Sequence, residues 1–346
     1  MIAAGRVTLR RRSLRCHGCG LTAHPLDARL GVDDFLSPHA TRLACLAAAS
    51  WSFDVASDRL HEFAGVPING ETIRRHSHRA AQALTRRREQ EPPKAHFEDA
   101  EGEIEFLTDG VMAPTRGGWR ELKMALYLKR PLGEPAEPDA WAERELPRPT
   151  AQAAYATVAD SETFAARWTP LAQALGIEPA GSLTVLGDGA EWIWNAASTQ
   201  FPAVTQLLDV FHACEHLASA GRALFGDEAA DWVERGRHSL LADGWPGLLD
   251  HVGATPVAGR TTAGQAGLDE LIGDFAKHTD RLGYYGRLRT GRSIGSGGVE
   301  SLARRMGRRL KVPGRGWCVD HLEGMASLIA TADTPEWESL WTRTAA

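Results

Sequence analysis

Long apolar runs are missing from this 346-residue sequence: nowhere do about 18 apolar residues stand together, so no membrane-spanning helix is expected. The basic N-terminus MIAAGRVTLRRRSLRC has no apolar stretch behind it, which excludes a secretory signal and leads us to expect a cytoplasmic protein. Cysteine is scarce and odd in number, at five, so no disulfide framework is expected. Internal repeats and low-complexity tracts are also lacking. The glycine-rich GSGGVES has no Lys-Ser/Thr behind it and so does not read as a nucleotide-cradling loop. What is present suits a folded chain: 43% apolar and 24% charged residues, enough core for two or three domains of roughly 150 residues.

Acids are almost absent from one stretch. Residues 281–315 carry ten basic side chains and one acid, Glu300, whereas the whole chain has a net charge of −5. Residues 1–95 are also basic, with 15 Lys and Arg against 9 Asp and Glu. Two basic segments flanking an acidic middle suit a polyanion partner, because Lys and Arg release counterions from phosphate; a solvated basic helix face is the plainer explanation.

The chain divides into five segments. Residues 1–30 read as short strands around Cys16-His17-Gly18-Cys19-Gly20, a truncated zinc-ribbon-like turn in which Cys16 and Cys19 form half a zinc site, or a plain turn. No second C-x-x-C follows to complete a tetrahedral set. Residues 31–98 read as helices near 37–50, 54–64 and 69–88, a helix-turn-helix-like region whose last helix offers Arg74, Arg75 and Arg79 to DNA. It ends in a polar linker at 89–98 (EQEPPKAHFE). In residues 99–225 the pattern turns α/β, with strands EIEFLTDG, WRELKMALYLKR, AAYATVAD, SLTVLGDGA and TQLLDVFH. Residues 226–285 read as helical throughout, and residues 286–346 as a glycine loop followed by a basic helix near 298–310. That helix carries Arg304, Arg305, Arg308 and Arg309, which are expected to hold phosphates.

Asp109 and Asp188 each close an apolar strand and precede glycine. Acids at the carboxyl ends of neighbouring strands converge on the crevice where α/β sheets bind ligands. Glu300 opens the basic helix and supplies a third carboxylate. Three such groups suit two divalent ions about 4 Å apart, with Mg²⁺ (or Mn²⁺) matched to hard oxygen donors. Any one Asp-Gly pair alone reads as a turn. His212-Ala213-Cys214-Glu215-His216 also matches the inverted zinc-peptidase motif, with both histidines on one helix face; that reading leaves Asp109, Asp188 and the basic segments unused.

Four blocks in order, TDGVMAPTRGGWRELK, VLGDGAEWIW, LLDVFHACEHL and GRSIGSGGVES, resemble the signature segments of the ISKra-four family of bacterial insertion-sequence transposases, relatives of the Mutator-like DDE transposases. The likeness extends upstream through LRCHGCGLTAHPLDARLGV and covers nearly the whole chain. It implies an α/β, RNase H-like mixed-sheet core broken by a helical insertion, with Asp109, Asp188 and Glu300 as catalytic, Mg²⁺-holding acids. It places the Asp-x-x-His element of the Mutator-like relatives on Asp209 and His212. It further implies metal-dependent cleavage and transfer of double-stranded DNA at element ends and target, by a homo-oligomer assembled on that DNA. Family members usually begin further upstream with another cysteine-containing segment, so this copy is expected to be short at its N-terminus. A truncated or domesticated copy that binds DNA without cutting it is the alternative.

Overall fold

The computed structural model describes residues 7–32, 35–90, 97–256, 261–312 and 316–341. Most of the expected linker at 89–98, and the first six residues of the zinc-ribbon-like segment, lie outside them.

At the N-terminus, β1 (Leu14–Arg15) and β2 (Thr22–Ala23) form a two-stranded antiparallel hairpin. It turns on Gly20, whose φ of +71° suits a residue without a side chain and whose N–H donates to the Cys16 carbonyl at 2.9 Å. The short helix α1 (Pro25–Leu30) follows.

Three helices come next: α2 (Pro38–Ser50), α3 (Phe53–Ala64) and α4 (Gly70–Gln90). Their starts are set by side-chain caps. Ser37 Oγ accepts from the Ala40 N–H at 3.2 Å with Pro38 in the first turn, Ser52 Oγ accepts from Val55 N at 3.4 Å, and Asn69 Oδ1 accepts from Thr72 N at 2.8 Å. Leu60, Ile68, Ile73, Ala81 and Leu84 are buried. The trio is fastened to the rest of the chain: Arg88 Nη2 donates to Glu336 Oε2 at 2.6 Å, to Thr331 Oγ1 at 2.9 Å and to the Ala154 carbonyl at 3.2 Å.

The central layer is a five-stranded mixed sheet. Its strands are β3 (Glu103–Thr115), β4 (Gly118–Arg130), β5 (Ala151–Thr157), β6 (Leu183–Gly187) and β7 (Thr205–Leu208), in the order β5-β4-β3-β6-β7. β4 runs antiparallel to both β3 and β5, whereas β3, β6 and β7 are parallel. Helices α5 (Ser161–Ala165), α6 (Trp168–Ala174) and α7 (Glu191–Gln200) lie between strands in sequence. One sheet face carries an aromatic cluster in which Phe106 lies 4.6 Å from Trp168 and 4.8 Å from Tyr127, ring centre to ring centre. The Tyr127 hydroxyl donates to the Trp168 carbonyl at 2.7 Å.

After the sheet come α8 (Val210–Phe225), α9 (Ala230–Gly253), α10 (Thr262–Phe275), α11 (Tyr284–Leu288), α12 (Gly297–Leu310), α13 (Val319–Thr331) and α14 (Pro335–Trp341). The expectation of helix throughout 226–285 is corrected. α9 is broken at Gly244, whose φ of +60° is non-helical, and α10 and α11 are separated by a short 3₁₀ turn at Thr279–Arg281. The α12 helix lies on the sheet face opposite the aromatic cluster, where a Cβ added to Gly298 would stand 3.2 Å from Leu128 and 3.3 Å from Leu126. Among the described residues no helix is long and apolar enough to cross a membrane.

Candidate active site

Sheet register gathers the acids. Leu107 of β3 pairs with Leu186 of β6, and Leu186 with Leu207 of β7. Two residues further on stand Asp109, still within β3, and Asp188 and Asp209, each the first residue past the end of its strand. Because side chains alternate with a period of two, these three fall on one row and on the face that α12 covers. The expectation that β3 ends at Asp109 is corrected. Its parallel partner β6 stops at Gly187, but Asp109 pairs with Met124 and the β3–β4 ladder continues to Thr115 and Gly118. Asp109 therefore sits in mid-strand, where the antiparallel hairpin projects past the end of its parallel neighbour.

The fourth carboxylate, Glu300, arrives in the first turn of α12. Burial pushes Asp109 up to about 6, the Gly110 N–H (2.6 Å from Oδ1) opposes this, and the charges of Asp188, Glu300 and Asp209 raise it further. Asp209, only 4% exposed, is raised chiefly by burial, against hydrogen bonds from Ser296 and His212. It caps α8, accepting from His212 N at 3.4 Å, and also accepts from Ser296 N at 2.9 Å. Asp188 Oδ1 accepts from Ala190 N at 2.9 Å, and Glu300 Oε1 from the Ser296 hydroxyl at 3.2 Å. Each carboxylate is thus turned onto a donor close to it. Among the described residues no three His, Cys, Asp or Glu side chains form a group that could hold a metal ion as they stand.

His212 borders this row. A Cβ on Gly189, next to Asp188, would lie 2.6 Å from His212 Nε2. Burial first, then the neighbouring His216 charge, lowers the His212 pKa, so the ring is neutral at pH 7 and can accept or donate one proton. The two rings are 4.5 Å apart, and His216 Nδ1 lies 3.0 Å from Asp274 Oδ2. With His278 they line a cavity of about 190 Å³. Glu215 of the H-x-x-E-H pattern is exposed.

The basic side chains are dispersed. Arg304 and Arg308 are exposed on α12, and Arg305 pairs with Asp333. Arg309 corrects the expectation of four outward arginines. It is 4% exposed, donates to the Ala48 carbonyl at 2.6 Å and lies over the Phe53 ring at 4.7 Å, fastening α12 to α2. Arg75 and Arg79 are exposed on α4, and Arg74 pairs with Glu71 at 2.6 Å. Cys16 and Cys19 are exposed, free thiols; hydrogen bonds from Cys19 lower the Cys16 thiol.

Two residues important to the site were not singled out from the sequence. Ser296 binds both Asp209 and Glu300, and Gly189 makes room for His212. Ser296 lies in the glycine-rich GSGGVES and Gly189 directly follows the strand-end acid Asp188, and the glycines next to acids were the available signal. No protein-family model matches this chain, and no curated protein matches it significantly.

Proposed function

We propose that this chain is a DDE transposase of the ISKra-four type, with an RNase H-like core, that cleaves double-stranded DNA at insertion-sequence ends and joins it to target DNA. The observation that carries the reading is the row Asp109–Asp188–Asp209 on adjacent parallel strands, faced by Glu300 from α12. Mutually repelling carboxylates brought together on a half-buried face are characteristic of a cation site rather than of a structural turn.

The donor set suits Mg²⁺ or Mn²⁺ in kind, since all four groups offer hard oxygens; burial is the main cause that raises Asp109, and the carboxylate charges that add to it are ones a divalent ion would neutralise. Asp109, Asp188 and Glu300 would hold such ions, which when bound stabilise the attacking and leaving oxygens of an in-line phosphodiester displacement. Asp209 is a positioning residue: it joins the start of α8 to the loop that aims Glu300. Neutral His212 sits where it can take the proton from an attacking water or 3′-hydroxyl. Exposed Arg304 and Arg308 on α12, with Arg75 and Arg79 on α4, give the phosphate backbone its contacts. A homo-oligomer on DNA and a zinc-binding role for Cys16 and Cys19, completed by further ligands, belong to the same reading.

A protein that binds element DNA without cutting it is the second reading, favoured by the way each carboxylate is turned onto a local donor. One experiment separates them. Labelled duplex spanning the gene's flank is incubated with Mn²⁺ and either wild type or Asp109→Asn. Discrete nicks lost in the variant, with DNA binding retained, support the transposase. Salt-sensitive binding with no nicking in either protein supports the binding-only copy, and neither binding nor nicking overturns both.

A further inference from the structure

Beside the acidic row, between the sheet and α12, lies a cavity of about 870 Å³. Its floor is Leu126 and Leu128 of β4, its far wall Trp141 and Arg144 from the segment joining β4 to β5. None of the four acids lines it, but residues close to them in sequence do. Phe211 lines it two residues after Asp209, as do Gly295, Gly297 and Gly298, just before Glu300.

The lining has an uneven chemistry. Four arginines face it, Arg130, Arg144, Arg148 and Arg305, against one carboxylate, Asp333, which is already paired with Arg305. Arg130 is held 3.3 Å from the buried Glu105. Arg144 Nη1 and Trp141 Nε1 are buried without a hydrogen-bond partner. Buried donors left unpaired are costly, and a small turn of either side chain toward the cavity would let an occupant bearing acceptors recover that cost. The rings of Trp141 and Phe211 stand 5.5 Å apart at the edge of the space, and Phe211 is 48% exposed. Guanidinium groups call for an anion, and flat apolar walls for a flat apolar body. An unpaired nucleotide has both. A double helix does not enter such a space, because its bases are stacked and paired inside its own width.

On the strand-cleavage reading above, we propose that this cavity receives one or two unpaired nucleotides of the DNA strand adjoining the scissile phosphate, with phosphate on Arg144 and Arg148 and a base against Trp141 and Phe211. The enzyme then acts on a duplex end whose strand is locally opened. Opening costs less where the duplex ends or is mismatched, so the cavity favours frayed or already nicked ends over continuous duplex.

The test measures binding by fluorescence anisotropy in EDTA at fixed salt, using a blunt 30-base-pair duplex and the same duplex with a three-nucleotide single-strand extension. Wild type is expected to bind the extended duplex roughly tenfold more tightly, as stacking of one base allows. Arg144→Gln and Trp141→Leu are each expected to bring the extended duplex to the affinity of the blunt one. Circular dichroism checks that both variants are folded, and Arg144→Gln decides the matter if Trp141→Leu is not. Equal binding of the two duplexes by wild type, or a preference surviving Arg144→Gln, overturns the assignment. Inorganic tripolyphosphate competing as well as a trinucleotide also overturns it, leaving an anion site only. Mn²⁺-dependent nicking run in parallel separates the two proposals. Nicking without extension preference removes the cavity assignment alone, and extension preference without nicking removes the cleavage reading alone.

Discussion

Asp209 and Ser296, 87 residues apart in sequence, are joined by a 2.9 Å hydrogen bond from the Ser296 amide to Asp209 Oδ1. Ser296 in turn donates its hydroxyl to Glu300 Oε1 at 3.2 Å. The end of the last parallel strand thereby sets the position of the glutamate on α12. Removing the Asp209 acceptors frees the Ser293–Ser296 loop and leaves a buried amide unpaired. Asp209→Ala is expected to reduce nicking at least a hundredfold. Asp209→Asn, which keeps one acceptor oxygen, should recover about a tenth or more of wild-type activity. Equal loss in both variants, measured as single-turnover nicking rates, would assign Asp209 a direct role as a charged ligand.

Asp109 gives a pH signature. Its folded-state value of about 6 lies above the ordinary 3.8, so the native state holds this proton more tightly than the unfolded chain. The ionised carboxyl therefore destabilises the fold. The penalty is absent below about pH 4 and grows as pH rises through 6. Discounted for partial exposure, it amounts to about 2 kcal/mol. Asp109→Asn is expected to be more stable than wild type by that amount at pH 8 and equal to it at pH 4, by urea unfolding. Added Mg²⁺ should narrow the gap at pH 8 by stabilising wild type alone. A gap independent of both pH and Mg²⁺ would show that Asp109 is not part of a cation site.

Arg88 holds the α4 end to the sheet layer. Its partner Glu336 has a side chain only 7% exposed, so Arg88→Ala strands a buried carboxylate and is expected to cost about 3 kcal/mol or more. The double change Arg88→Met with Glu336→Leu removes both charges and should cost much less. Denaturant midpoints of the two proteins check this; equal losses would mean that packing, not charge, dominates.

Gly189 is a narrow test of the His212 position. Its backbone is not in the left-handed region, so alanine is tolerated by the main chain. A methyl there would nonetheless sit 2.6 Å from His212 Nε2 and displace the ring. Gly189→Ala is expected to keep its melting temperature within a few degrees and to lose at least tenfold in nicking rate. An unchanged rate would place His212 outside the chemistry.

Asp109 and Asp188 were legible because each stands just after a run of apolar residues, Phe106–Leu107 and Val185–Leu186, whereas Asp209 was reached only through the family resemblance and the continuation of β3 past Asp109 was not legible at all. The alignment of the three acids was not legible either, because register depends on which strands pair, and one-dimensional pattern does not encode that. Arg309 shows a second limit. A count of arginines on α12 treats four residues alike, but Val299, Leu302, Met306 and Leu310 form its buried stripe, and Arg309 falls beside Leu310 on that stripe. Helical periodicity of the apolar neighbours, rather than charge density, separates it from exposed Arg304 and Arg308. The arginine-lined cavity was illegible for a related reason. Trp141 and Arg144 come from an irregular segment between β4 and β5, where no periodicity announces which side chains turn inward.

The order in which the chain is made gives the acidic row a further meaning. The strands bearing Asp109, Asp188 and Asp209 are all complete by residue 209, whereas α12 and Glu300 follow only after the long helical excursion of α8 to α11. A growing polypeptide can pair its strands on the ribosome while still lacking the residue that closes the site. On the proposed strand-cleavage reading, the acidic set is complete only after α12 has been made, late in the chain.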